Sequence, residues 1–265
     1  PDAPLLSYQE FFYNARGFDY DFDPELQGPL EWQACAKLRM KNANPLLMLE
    51  ASSWNVTPTA FQRSSFPAQF RNRISVIHDG IDTTLAAPDP AVSPLTLPDG
   101  AVLSAGESTI TFVNRRIEPY RGCLPFIRAI PAMQQACPDA RIVIVGGHEG
   151  VAYGQPAPTG SWRDLCLAQI RGQYDPSRVH FPGNLAYGPF LQLLKLSACH
   201  VYLTYPFVLS WSLLEAMAAG CAIVASRTEP VLEVMEDGVS GLLADFWDED
   251  EQVSSIAALL EDPPL

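Results

Sequence analysis

From Ser108 onward the sequence alternates between short β-branched runs and helical stretches, and this rhythm limits the possible folds more than any other feature of the chain. Thr109 to Val113 reads as a strand, Leu124 to Gln135 as a helix, and Arg141 to Val145 as a second strand that closes on Gly146-Gly147. Together they make one βαβ unit. The pattern continues with a helix from Trp162 to Gly172, a strand from Arg178 to Phe181, a helix from Tyr187 to Leu196 and a strand from His200 to Thr204. A helix from Trp211 to Ala219, a strand from Ala222 to Ala225, a helix from Pro230 to Glu236, a strand from Gly241 to Ala244 and a helix from Glu251 to Leu260 complete it. Roughly six short strands alternating with helices predict an α/β fold, a Rossmann-like parallel sheet with helices on both faces.

The preceding residues read differently. They open with Phe11-Phe12-Tyr13 and the acidic residues Asp19, Asp21, Asp23 and Glu25. A helix is predicted from about Pro29 to Lys41, a strand from Leu46 to Glu50 and a short helix from Pro58 to Arg63. This is too little for an independent α/β domain, and it reads as the end of a preceding domain whose beginning is absent. The opening Pro1-Asp2-Ala3-Pro4 has neither an initiator Met nor a signal peptide, so the chain reads as a segment of a longer one. Ile74 to Ile77 is a buried strand that runs into His78-Asp79-Gly80-Ile81-Asp82, and Pro88, Pro90, Pro94 and Pro98 mark a loop or linker beyond it. The expected division is therefore 1–83 and 84–265.

Charge narrows the function. The formal net charge is −13, which disfavours nucleic acid and anionic membranes as partners and leaves any anionic ligand to a few placed arginines. The apolar run from Val201 to Leu214 is broken by Thr204, Tyr205, Pro206 and Ser210 and falls short of the roughly 18 residues of a membrane span, so no transmembrane segment is expected. The six cysteines are dispersed without a C-x-x-C pair, as buried thiols of a reducing, cytoplasmic compartment would be. The four histidines lack metal-ligand spacing, and neither a metal nor a cofactor is expected. The triplet Asn55-Val56-Thr57 is a chance glycosylation sequon.

In open α/β sheets, ligands bind outside the carboxyl ends of the strands. After the first strand come Arg115, Arg116 and Arg121, whose guanidinium groups match phosphate oxygens and whose alternative role is surface pairing with the excess carboxylates. Gly146-Gly147 and Gly183-Asn184 follow the next two strands; they either let a ligand approach the backbone or make ordinary turns. Tyr205 to Gly220 passes from a strand through a loop into a helix, whose first N–H groups, near Ser210 to Ser212, are expected to be open to an oxygen anion. Glu215, one turn inside an apolar helix, either binds sugar hydroxyls or pairs locally.

These residues resemble a known family. Arg116-Ile-Glu-Pro-Tyr-Arg121-Gly122 is similar to the R-L-x-x-x-K-G segment of retaining GT-B glycosyltransferases of the group 1 (family 4) type. Leu214-Glu215-Ala216-Met217-Ala218-Ala219-Gly220 is similar to their L-E-A-M-A-x-G signature, Val76 to Asp82 to their hinge strand, and Asp237 to Leu243 to their D-G-x-N-G-L-L. The resemblance implies a domain that binds a nucleotide-diphosphate sugar without a metal, with Arg116 and Arg121 on the diphosphate and Glu215 on the ribose. The family usually carries a second glutamate eight positions before this one, where the chain has Phe207, and sugar contacts would then fall to the backbone of Leu209, Ser210 and Trp211. It also implies that a full enzyme has a complete amino-terminal domain for an acceptor, which the sequence does not identify. The alternative function is a non-catalytic nucleotide-sugar-binding or interaction domain. A dehydrogenase is disfavoured, because no G-x-G-x-x-G follows a predicted strand.

Overall fold

Strands form where β-branched and aromatic residues run together, and the rest of the chain is arranged to cover them. The computed structural model describes residues 3–26 and 31–261. Two units are distinguishable: Pro1–Gly80 with Tyr205–Leu209 and Thr228–Val234, and Ile81–Thr204 with Ser210–Arg227 and Met235–Leu265.

In the first unit the elements are β1 (Leu6–Tyr8), α1 (Trp32–Lys41), α2 (Ala43–Ala51), β2 (Trp54–Thr57), α3 (Ala60–Ser65), α4 (Ala68–Arg71) and β3 (Ile74–Val76). The strands are parallel in the order β1-β2-β3, and Leu49, Phe66 and Ile74 form a buried cluster with Phe12 and Phe70 against it. The expected strand from Leu46 to Glu50 is part of α2 instead. Residues 42–51 contain no β-branched side chain, so Leu, Met, Ala and Glu favour helix, and an apolar run this short has no periodicity to separate the two. α1 begins at Trp32, whereas Pro29, where the helix was expected to start, lies outside the described residues. β2 contains the sequon triplet, and Asn55 and Thr57 are fully buried.

Two inserted segments complete this unit. Glu233 accepts the backbone N–H groups of Ala60 (2.6 Å) and Phe61 (2.8 Å), capping α3 together with Thr59 Oγ1, which accepts from Gln62 N. Phe207 lies edge-on to Phe11 with ring centroids 4.7 Å apart, while the Tyr205 hydroxyl donates to Asp23.

The second unit holds an antiparallel hairpin of β4 (Leu95–Thr96) and β5 (Val102–Leu103), then β6 (Thr109–Arg116), α5 (Cys123–Arg128), α6 (Ile130–Ala136) and β7 (Arg141–Gly147). After these come α7 (Trp162–Gln169), β8 (Val179–Gly183), α8 (Tyr187–Leu196), β9 (Cys199–Tyr202), α9 (Trp211–Ala218) and β10 (Ile223–Ser226). α10 (Glu229–Leu232) belongs to the first unit, and β11 (Leu242–Ala244) and α11 (Glu249–Glu261) close the described chain.

The six strands β6 to β11 form one parallel sheet in the order β11-β10-β9-β6-β7-β8. The order reverses between β6 and β9, and in open α/β sheets the carboxyl ends of the strands at such a switch point are where ligands bind. The single helix expected from Leu124 to Gln135 is divided into α5 and α6, because Pro131 has no N–H to donate and its ring crowds the preceding turn. The proline-marked stretch expected as a loop or linker carries β4, and Leu95, Leu97 and Leu103 join Val113, Val143, Val145, Leu193 and Leu196 in the core. Among the described residues, no helix is long and apolar enough to cross a membrane.

Candidate functional site

The β6–β9 switch point is built from the residue that ends β6 and the turn that follows it. Arg116 closes β6, and the Ile117 N–H donates to Gly147 O at 2.9 Å, tying this exit to the end of β7. A side chain at Gly147 would place its Cβ on Arg116 Nη1, so the guanidinium lies over the last residue of β7. The chain then makes a 3-10 turn, Pro119–Arg121, and enters α5 through Gly122 at φ 74°, pressed against Leu203. Only glycine combines that backbone angle with that contact.

This turn aims Arg121 back under the sheet edge. Arg121 is 7% exposed and donates from Nη1 to Thr204 Oγ1 (2.8 Å) and Tyr202 Oη (3.1 Å), the latter ending β9 and the former two residues beyond it. Its Cζ also lies 5.4 Å from the centre of the Tyr153 ring. The neighbouring Glu118 is 1% exposed and accepts the N–H groups of Ala152 and Tyr153. Burial pushes its carboxyl above the usual range, against the pull of those two amides and of the Arg121 and Arg116 charges.

The start of α9 joins the same network. Ser210 N donates to Tyr202 Oη at 2.8 Å, so one phenol hydroxyl bridges Arg121 and the helix start. Ser210 Oγ caps Ser212 N at 3.4 Å. The N–H groups expected to be open at Ser210 and Ser212 are therefore already bonded within the protein, because the cap and Tyr202 satisfy them. Glu215, one turn further on, is 8% exposed, and its Oε1 accepts the hydroxyl of Tyr187 at 2.9 Å. That bond holds the Tyr187 phenol above its ordinary pKa. Tyr187 and Trp211 are themselves about half exposed, at 48% and 55%.

The remaining expected residues lie elsewhere. The missing side chain at Gly146 makes room for β6, since a Cβ would meet Asn114 O at 3.0 Å, whereas Gly183, at φ 73°, faces open space. Asn184 is exposed beside it. Phe207 and Leu209 are buried in the first unit, with Phe207 among Phe11 and Tyr13. Sequence reasoning missed Glu118, Tyr153, Tyr187, Tyr202 and Thr204. Only Glu118, inside the arginine segment, carried a local signal; the tyrosines become relevant through tertiary contacts alone. Among the described residues, no group of three or more His, Cys, Asp or Glu side chains could hold a metal ion.

Residues 107–262 match the model described as glycosyl transferases group 1, and residues 1–86 match that of the glycosyl transferase family 4 group. The chain belongs to the group 1 glycosyltransferases. Its curated relatives include phosphatidyl-myo-inositol mannosyltransferase of Mycolicibacterium smegmatis, 29% identical over 165 residues that cover 59% of this chain and 37% of that protein. The GDP-mannose-dependent alpha-(1-6)-phosphatidylinositol monomannoside mannosyltransferase of the same organism is 26% identical over 212 residues, covering 77% of this chain and 52% of its own length. This glycosyltransferase chain thus spans between 37% and 52% of those two relatives. Among solved structures, Anabaena HepE in complex with UDP and glucose superposes with a TM-score of 0.69 at 18% identity, over 98% of this chain and 63% of that one. The carboxyl-terminal domain of the group 1 glycosyl transferase LpcC from Francisella tularensis superposes with a TM-score of 0.56 at 19% identity, over 70% and 90%. These two likenesses establish a shared fold.

Proposed function

We infer that the chain carries the donor-binding part of a cytoplasmic glycosyltransferase that moves a sugar from a nucleotide-diphosphate sugar to an acceptor, with retention and without a metal. The observation that carries this reading is the pair of arginines at the β6–β9 switch point of a chain whose net charge is −13. Arg116 and Arg121 neutralise the diphosphate and the charge that develops on it as the sugar leaves, which is where fixed donors lower a barrier most. No bound cation is required for that role. Glu215 takes the ribose: its Oε1 already accepts one hydroxyl, that of Tyr187, and a ribose diol offers the same kind of donor. Gly183, Asn184 and Trp211 are assigned to the donor as further contacts, a reading supported by the exposure of Asn184 and Trp211. Six free thiols fit a reducing compartment.

A second reading, a nucleotide-sugar-binding domain without transfer activity, is favoured by Phe207. That residue stands where the family usually has a carboxylate, and it is locked in an aromatic cluster.

Calorimetry with UDP and GDP tests the donor site. Arg116→Ala should weaken binding by about 1.5 to 3 kcal/mol, the range for a hydrogen bond to a charged group, with the fold intact. Glu215→Gln, nearly isosteric, should weaken the nucleotide without lowering Tm. Unchanged affinity in both variants rejects the assignment. Assays of sugar transfer from UDP- and GDP-sugars then separate an enzyme from a binding domain.

A further inference from the structure

Between β7 and α7 the chain runs through residues 148–161 without regular structure, mostly exposed, with Gly150, Gly154 and Gly160 at positive φ. A loop of this composition has little of its own to hold it in one place. Side chains outside the loop hold it at two points: at one, Trp162 Nε1 donates to Gln155 O at 3.0 Å, and the other is Glu118. Glu118 Oε2 accepts two consecutive backbone N–H groups, those of Ala152 at 2.6 Å and Tyr153 at 3.0 Å, and successive amides that converge in this way form a concave anion seat.

Three further contacts surround that seat. The Tyr120 and Tyr153 rings stack at 6.3 Å and 26°, Arg121 Cζ lies 5.4 Å from the Tyr153 ring, and Gly154 approaches Tyr120 so closely that a Cβ would lie 2.9 Å from Cε2. The charge of Glu118 itself opposes an anion bound at Arg116 and Arg121. Any benefit it brings to such a site must therefore come from what it positions.

The geometry points to Glu118 as a positioning residue for the donor site: it clasps the 148–161 loop so that Tyr153 covers the Arg121 guanidinium and walls the diphosphate position. This rests on the assignment of Arg116 and Arg121 to the diphosphate. The Tyr153 ring face restricts where the guanidinium can swing and excludes water from one side of it, which strengthens its attraction for phosphate oxygens. Without the clasp, the loop stays tied at Gln155 by Trp162, but Ala152 and Tyr153 are released and Arg121 is presented without its cover.

The test combines amide hydrogen exchange with UDP and GDP calorimetry on the whole chain. Glu118→Ala should speed exchange at Ala152 and Tyr153 at least tenfold, leave exchange in β6 and β7 unchanged, and weaken both nucleotides at least tenfold. Glu118→Gln keeps a carbonyl oxygen for the seat and should bind within about threefold of wild type, a rescue that a charge role would not give. Tyr153→Ala should weaken binding as much as Glu118→Ala, Tyr153→Phe should not, and the Glu118→Ala/Tyr153→Ala double variant should be no worse than either single one. Affinity unchanged or tightened in Glu118→Ala overturns the proposal, as does unchanged exchange at the two amides. Should Glu118→Ala fail to fold, the Tyr153 variants decide: equal affinity in Tyr153→Ala and wild type overturns it. A wild-type chain that binds neither nucleotide rejects the donor-site assignment itself, and the positioning role with it, which is distinct from a wild type that binds and variants that do not differ.

Discussion

Gly147 and Arg116 show how a residue with no side chain can place one that has a long side chain. The guanidinium occupies the space a Cβ would take, and Nη1 is the flexible far end of its side chain. Gly147→Ala should therefore leave Tm within a few degrees of wild type while it pushes Arg116 off the end of β7. The nucleotide should bind roughly 3- to 30-fold more weakly, a part of what Arg116→Ala loses. Paired melting and calorimetry on Gly147→Ala check this, and full affinity would show that Arg116 needs no such seat. Gly122 is the contrasting case. Its φ of 74° and its contact with Leu203 leave nothing flexible to give way, so substitution there strains the backbone itself. At this scale the sequence showed which residue types could bind a diphosphate, because three arginines near a strand end stand out in an acidic chain. It did not show that Arg121 is buried against Tyr202 and Thr204, since those contacts join positions 81 and 83 residues apart.

At the scale of elements, β6 and β9 are the pair on which the switch point depends, and they carry a titratable group between them. His200 on β9 is fully buried, with Nδ1 2.9 Å from Thr111 Oγ1 of β6. Burial lowers its pKa from 6.5 to about 4. The unfolded chain therefore binds the extra proton first. Stability from this group is complete above pH 6.5 and is lost as the pH falls towards 4, by up to about 3 kcal/mol. Denaturant unfolding from pH 7 to 4.5 should show a smaller loss in His200→Asn than in wild type; parallel curves would mean that His200 is charged in the folded state. The alternation that announced these strands was legible because parallel strands covered on both faces are continuous runs of β-branched and aromatic residues, as in Thr109 to Val113. Other elements were not. α2 has an apolar run too short for a period, and the strand signal of β1 is three residues long. β4 sits among prolines that read as linker, while its Leu95 and the adjacent Leu97 share a core cluster with residues of β6, β7 and α8.

The whole molecule sets a field against the ligand proposed for it. Thirty acidic side chains face seventeen basic ones, so a nucleotide diphosphate approaching from a distance meets net repulsion, and only within a few ångströms of Arg116 and Arg121 does attraction take over. The two ranges respond differently to salt. With a Debye length of about 30 Å at 0.01 M and about 8 Å at 0.15 M, added salt removes the long-range repulsion first, while contacts to the buried Arg121 are screened much less. The association rate of UDP, followed by stopped-flow fluorescence with Trp211 among the exposed reporters, should rise over that interval, and the dissociation rate should change little. A basic nucleotide-binding protein would show the reverse trend in association. An association rate that falls with salt would mean that the local arginine field reaches into solvent despite the −13 background, and would place the diphosphate nearer the surface than Arg121. The same experiment on Arg116→Ala separates the contributions: the rise with salt should steepen once one attracting charge is gone, because the acidic field then acts with less local opposition.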